Sequence, residues 1–263
     1  METKGFEPQL AEMLLEIKEH PEAAEVLFTT HPGQELLAIL LDLKPMTLFS
    51  QNDFVALRPV IVLEKIRSFI KDKGLITQPV DDEIVVIGLT GKKILGQQYN
   101  DFLSGNLNTL SVPMYGALFG FPKAEVAEFS SFSTDAKGGI VNKIFSNPEW
   151  KKIIQNNQEY ADVINDLYVD YGTDEDTFAK KLQHRATLQA LLAECSQGEY
   201  SAEEIDYFVN TVGVHLPGFT FRARYPFTPE VRNFIAKVLS SFQTASELAD
   251  APFDWEEYRY LLE

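Results

Sequence analysis

The segment Pro217-Gly218-Phe219-Thr220-Phe221-Arg222-Ala223-Arg224-Tyr225 holds the residues best spaced for chemistry. In an extended chain, side chains alternate between faces. Phe219, Phe221, Ala223 and Tyr225 then share one face, and Thr220, Arg222 and Arg224 the other. Two guanidiniums two residues apart can hold a carboxylate or a phosphate in paired geometry. His215 lies just upstream and has the chemistry of an acid or base near neutral pH. Arg222, Arg224 and His215 are therefore the candidate ligand-binding residues. A competing reading pairs both arginines with the chain's own carboxylates, since 39 Asp and Glu face 23 Lys and Arg. Exposed pairs of that kind add little stability.

Other constellations fall short of a complete motif. His184-Arg185 offers a second histidine, but no H-x-x-x-H or C-x-x-C spacing accompanies it. Gly88-Leu89-Thr90-Gly91-Lys92-Lys93 suits a strand-to-helix turn and fails the phosphate-loop pattern. The acids Asp166, Asp170, Asp174, Glu175 and Asp176 do not fit a calcium loop, because its glycine and final glutamate positions hold Tyr171 and Thr177. Thr173 or Asp174 as a helix N-cap accounts for that cluster better. Cys195 is the one cysteine, beside Glu194 near a helix end, where neither charge nor helix dipole favours a thiolate. No catalytic residue, metal ligand or cofactor follows from these residues.

The elements that must position these groups are mostly helical. Leu10, Met13, Leu14 and Ile17 recur at helical spacing, and Gln34 to Leu43 is apolar almost all round. His20-Pro21 and His31-Pro32 break the helical run, and Val60 to Lys73 reads as one helix closed by Gly74. The first 75 residues thus read as helices only. Glu83 to Leu89 is short and β-branched, which predicts a strand, with a helix from Lys92 to Leu103 after it. Asn147-Pro148-Glu149 supplies an N-cap, a first-turn proline and an early acid. Ser201-Ala202-Glu203-Glu204 fits a capping box, and its helix is expected to stop at Gly213. A further helix is expected from about Asp174 to Cys195. Gly218 to Tyr225 alternates like a strand, and Thr228-Pro229-Glu230 opens the last long helix.

The run Tyr115-Gly116-Ala117-Leu118-Phe119-Gly120-Phe121-Pro122-Lys123-Ala124-Glu125-Val126-Ala127-Glu128-Phe129 resembles a motif of an uncharacterised archaeal protein family, Tyr-Gly-x-Leu-Leu-Gly-Tyr-Pro-x-Cys-Cys-Val-x-x-Phe. Ala124 and Glu125 stand where that motif has two cysteines, so no thiol role carries over. Read on its own residues, Gly120 permits a turn and Pro122 opens a helix, while Tyr115, Phe119 and Phe121 are candidates for core or pocket lining.

The chain has 263 residues, 45% of them hydrophobic and 24% charged, with a formal charge of −16. This composition excludes disorder, a collagen-like repeat and a disulfide scaffold. The acid excess argues against nucleic acid as a partner. The N-terminus lacks a basic, then apolar, leader pattern, and no apolar run approaches the ~20 residues of a membrane span. A lone cysteine favours a reducing compartment, so a soluble, cytoplasmic protein is expected. The expected fold is mainly α, of the α+β kind, a helical domain with two or three short strands. Residues 1–79 would form a helical N-terminal region and 80–263 the α+β main region, around a boundary at Pro79 and Asp81-Asp82, with one continuous domain as the alternative. The expected function is a non-catalytic binding or protein-interaction domain, its acidic surface suiting a basic partner. The alternative is a small-anion-binding protein or enzyme with an Arg222/Arg224 clamp and a histidine acid–base.

Overall fold

The computed structural model describes residues 6–73, 75–80, 83–104, 110–131, 134–169 and 175–263. The chain is mainly helical, with five short strands among the described residues. It divides into two compact units. The first comprises residues 1–126, 216–219 and 232–263, and the second 127–215 and 220–231.

In the first unit, helix Pro8–Lys18 buries Leu10, Met13, Leu14 and Ile17, the stripe that its periodicity dictates. Pro21 and Pro32 open the next two helices, Pro21–Thr29 and His31–Leu40, where a missing N–H costs nothing. Thr30 caps the second of these, its hydroxyl accepting from Gly33 N–H at 3.2 Å. Residues 36–40 are all buried, as a helix apolar all round requires.

Three strands form an antiparallel sheet in the order β1-β3-β2: β1 Met46–Ser50, β2 Ile76–Val80 and β3 Glu83–Ile87. Ile87 of the central strand pairs with Met46 on one side and Ile76 on the other. β3 falls where its β-branched run predicts it. β1 corrects the all-helical reading of the first 75 residues. Its Met46, Thr47 and Phe49 are buried and Leu48 is half-buried, so period-2 alternation is blurred. A short apolar run of that kind does not separate strand from buried helix. The strand β2 holds Pro79 opposite Ile84, which an edge strand tolerates. The boundary expected at residues 79 and 80 lies inside this strand.

Met46, Val85, Ile87, Leu95, Phe102, Leu110 and Leu118 form one core cluster with the sheet. The helix expected over Val60 to Lys73 is two, Arg58–Ile61 and Glu64–Asp72. Gly74 lies outside the described residues. The helix expected over Lys92 to Leu103 is likewise interrupted, into Leu89–Leu95, a 3-10 turn Gly96–Gln98, and Tyr99–Leu103.

In the second unit, helices Thr134–Ser146, Pro148–Asn156, Gln158–Val169, Arg185–Ser196 and Ala202–Asn210 enclose a core that includes Ile140, Trp150, Val163, Leu188, Leu191 and Leu192. Asn147 caps its helix as predicted, its Oδ1 accepting from Glu149 and Trp150 N–H at 2.9 and 3.3 Å. Ser201 and Glu204 form the full capping box. That helix ends at Asn210, not at Gly213. Val212 belongs to strand β4, Thr211–Leu216, where a buried strand residue coincides with the helical spacing of the preceding run. The helix expected from Asp174 to Cys195 is two, Glu175–Gln183 and Arg185–Ser196, with His184 between them. Asp174 and Thr173 lie outside the described residues. Strand β5, Phe219–Arg224, pairs with β4. The long helix Pro229–Ala249 starts where Thr228 caps it, Val231 N–H donating to Thr228 Oγ1 at 3.3 Å.

Candidate functional site

Of the strand expected over Gly218 to Tyr225, Phe219–Arg224 forms, with the alternation that its sequence predicts. Phe219, Phe221 and Ala223 are buried, Thr220 and Arg222 exposed, and Arg224 half-buried. Tyr225 N–H donates to Asn210 O at 2.9 Å, a register that sets His215 opposite Thr220 and Gly213 opposite Arg222. His215 and Arg222 are thus on the exposed face of one hairpin. Arg224 is committed elsewhere. Its Nη2 pairs with Oδ2 of Asp206 on helix Ala202–Asn210. The proposed clamp therefore has one arginine in a carboxylate pair and one exposed. Asp206 also accepts from Asn210 Nδ2 at 2.7 Å.

His184 finds an acid that its sequence neighbours do not supply. Its Nε2 lies 2.8 Å from Oδ2 of Asp166, on helix Gln158–Val169. The side chains are 18% and 47% exposed, so the pair sits at a rim. Two further polar links join the same helices: Thr187 to Glu159 at 2.8 Å and Tyr160 to Glu194 at 3.1 Å. A histidine with an orienting carboxylate is two thirds of a nucleophilic apparatus. Among the described residues no hydroxyl or thiol bonds to His184, and the three links together read as a polar seam between two helices. Arg185 packs by its own chemistry. Its Nη2 donates to Tyr225 O at 2.6 Å and its guanidinium lies 5.3 Å above the Tyr225 ring. Burial pushes its pKa down.

Cys195 is buried, and burial followed by the charge of Glu194 pushes its thiol up to about 11. A thiol so protonated is a poor nucleophile. The Gly88–Lys93 turn is explained by packing: Gly88 N–H donates to Pro45 O at 3.0 Å, and Lys92 Nζ lies 4.9 Å over the Tyr99 ring. Tyr115, Phe119 and Phe121 form a stacked series, with Tyr115 and Phe119 packed against the sheet cluster. Gly120 turns the chain at φ +74°, with Leu43 O and Pro45 about as close as a Cβ tolerates.

Two features were not legible in the sequence. The first is Lys44, only 4% exposed. Its ammonium meets Glu35 Oε1 at 2.5 Å and donates to Gly218 O at 3.0 Å. The Phe119 and Phe219 rings lie 5.7 and 5.6 Å from it. Desolvation outweighs Glu35 and holds its pKa below the usual lysine value. Gly218, at φ +75°, permits this approach, since a Cβ there would come 2.6 Å from Gln34 O. Lys44 therefore ties the hairpin turn to helix His31–Leu40.

The second feature is a cleft of about 670 Å³ in the first unit. Its walls include Phe28 and His31, from the end of one helix and the start of the next, and Phe253, Asp254, Glu257 and Tyr258 near the C-terminus. Among the described residues no lysine or arginine lines it. The Phe253 and Tyr258 rings lie 6.0 Å apart and 19° from parallel. Phe242 backs Phe253 at 5.8 Å. Burial, then the charges of Glu257 and Asp254, push the Tyr258 phenol up to about 12. Both carboxylates and the phenol line the same cleft. Asp254 caps the 3-10 helix Trp255–Leu261, one oxygen accepting from Glu256 N–H at 3.1 Å. Arg259, on that helix, is held by Glu256 and Glu263 and leaves Asp254 and Glu257 without a cationic partner among the described residues. The cleft thus joins flat aromatic surface to uncompensated negative charge.

Among the described residues no three His, Cys, Asp or Glu side chains gather as metal ligands, and no helix is long and apolar enough to cross a membrane. Comparison with protein families, with curated proteins and with solved structures found no match.

Proposed function

We propose that this chain is a non-catalytic binding protein whose cleft at Phe28, Phe253, Asp254, Glu257 and Tyr258 takes a basic segment of a partner protein. The observation that carries this reading is the pairing of two unneutralised carboxylates with aromatic walls in one cleft. Aromatic faces attract cations, and carboxylates hold them by charge-assisted hydrogen bonds. The formal charge of −16 would steer a basic partner toward the molecule from a distance.

Calorimetric titration with a short Lys/Arg-rich peptide tests it. Any acidic protein attracts a polycation, so the control must match the charge change. Asp254→Asn with Glu257→Gln should weaken binding at least tenfold. Glu22→Gln with Glu203→Gln, which removes two charges from exposed helix starts, should leave it within twofold. Equal losses in the two double variants would reduce the effect to bulk charge and remove the cleft from the reading.

The anion-clamp alternative rests on Arg222 and His215 sharing one exposed hairpin face. It is weakened by the ion pair of Arg224 with Asp206. A thermal-shift screen with phosphates and carboxylates distinguishes it. A rise in melting temperature that Arg222→Ala abolishes would favour the clamp, because a ligand of the native state must stabilise it.

A further inference from the structure

We infer, resting on that reading, that the group seated in the cleft is the guanidinium of an arginine rather than the ammonium of a lysine. The wall decides the shape of the occupant. Phe253 and Tyr258 both line the cleft and are close to parallel, at 19°, so the wall holds a planar aromatic stack. A guanidinium is planar and weakly hydrated and extends such a stack. An ammonium is a compact, strongly hydrated point charge that gains nothing from planarity and loses more water on entry.

The acceptors decide the edge. Asp254 Oδ1 is occupied by the Glu256 N–H, which leaves its second oxygen. Glu257 carries no hydrogen bond or ion pair among the described residues. Asp254 and Glu257 both line the cleft, and their three remaining oxygens suit a donor that spreads its N–H groups around a plane. Arginine carries five such donors and lysine three at one point.

The test uses the full chain and three capped single residues: Nα-acetyl arginine, lysine and citrulline methylamides. Binding is read from amide shifts of Trp255, Glu257 and Tyr258 in two-dimensional NMR. The arginine probe should saturate at about one tenth of the lysine concentration, and citrulline, planar but uncharged, should give no shift. Tyr258→Leu should erase the preference while leaving residual binding of both cations. A lysine probe that binds as well as arginine overturns the inference and leaves the basic-segment reading standing. Citrulline binding like arginine overturns it too, since shape alone would then suffice. No shift with either cation, together with no uptake of the basic peptide, overturns both. Should Tyr258→Leu fail to fold, Asp254→Asn with Glu257→Gln serves instead, and a ratio of arginine to lysine binding that falls toward one in that variant is the expected result. An unchanged ratio there assigns the preference to the rings alone and overturns the role given to the acids.

Discussion

Lys44 shows how much one side chain can hold together. Removing one member of a buried pair leaves the other uncompensated, which costs about 3–5 kcal/mol. Lys44→Met should therefore lower unfolding free energy in urea by an amount in that range, while Lys44→Met with Glu35→Leu recovers much of it. A loss no larger than that of an exposed pair would mean Glu35 is adequately solvated. The pH dependence has a definite sign. Burial places the folded pKa of Lys44 below its unfolded value, so the unfolded chain binds the extra proton in the window between them. Stability then rises with pH across that window. The advantage of the native protein over Lys44→Met should grow as pH climbs toward about 10.5, the ordinary lysine value. A shrinking advantage would show that Glu35 dominates. Lys44 itself was not legible, because its acceptor Gly218 lies 174 residues away in the chain. The arginine pair was half legible for the same reason. Alternation placed Arg222 and Arg224 on one face, but Asp206, which takes Arg224, is on another element.

At the scale of elements, the helix N-caps were the most readable feature. Caps at Asn147, Ser201 and Thr228 form between residues two or three apart, so spacing fixes them whatever surrounds them. Ser201→Ala removes the acceptor for Glu204 N–H and should cost about 1 kcal/mol in chemical unfolding, as caps typically do. Ser201→Asp should retain most of that stability. Ser240→Ala, whose hydroxyl only returns to Lys237 O within its helix, should change little. A Ser201→Ala effect no larger than Ser240→Ala would make the box ornamental. Strands were less readable. β1 and β2 were missed, because Met46–Ser50 is buried without alternation and Ile76–Val80 contains a proline. Both depend on β3 for their hydrogen bonds, and pairing partners are not encoded in local spacing.

Across the whole molecule the charge of −16 is a standing repulsion in the folded state. Salt shortens its range from about 30 Å at 0.01 M to about 3 Å at 1 M. The melting temperature should therefore rise when sodium chloride is increased over that interval. A fall would mean that attractive pairs such as Lys18–Asp250 and Lys65–Glu12 outweigh the excess of acid. Composition and periodicity were enough to establish a mainly helical chain, its principal caps, the alternating faces of residues 219–224 and the absence of a complete nucleophile or metal motif. Each of those follows from neighbours within a turn or two of chain, where geometry is set by φ, ψ and side-chain period. The division into two units, the partners of Arg224 and His184, the burial of Lys44 and the cleft itself came from folding. The cleft joins Phe28 and His31 to Phe253, Asp254 and Tyr258 across most of the chain's length. No sequence period links residues so far apart; their meeting is set by which apolar faces the helices bury against one another.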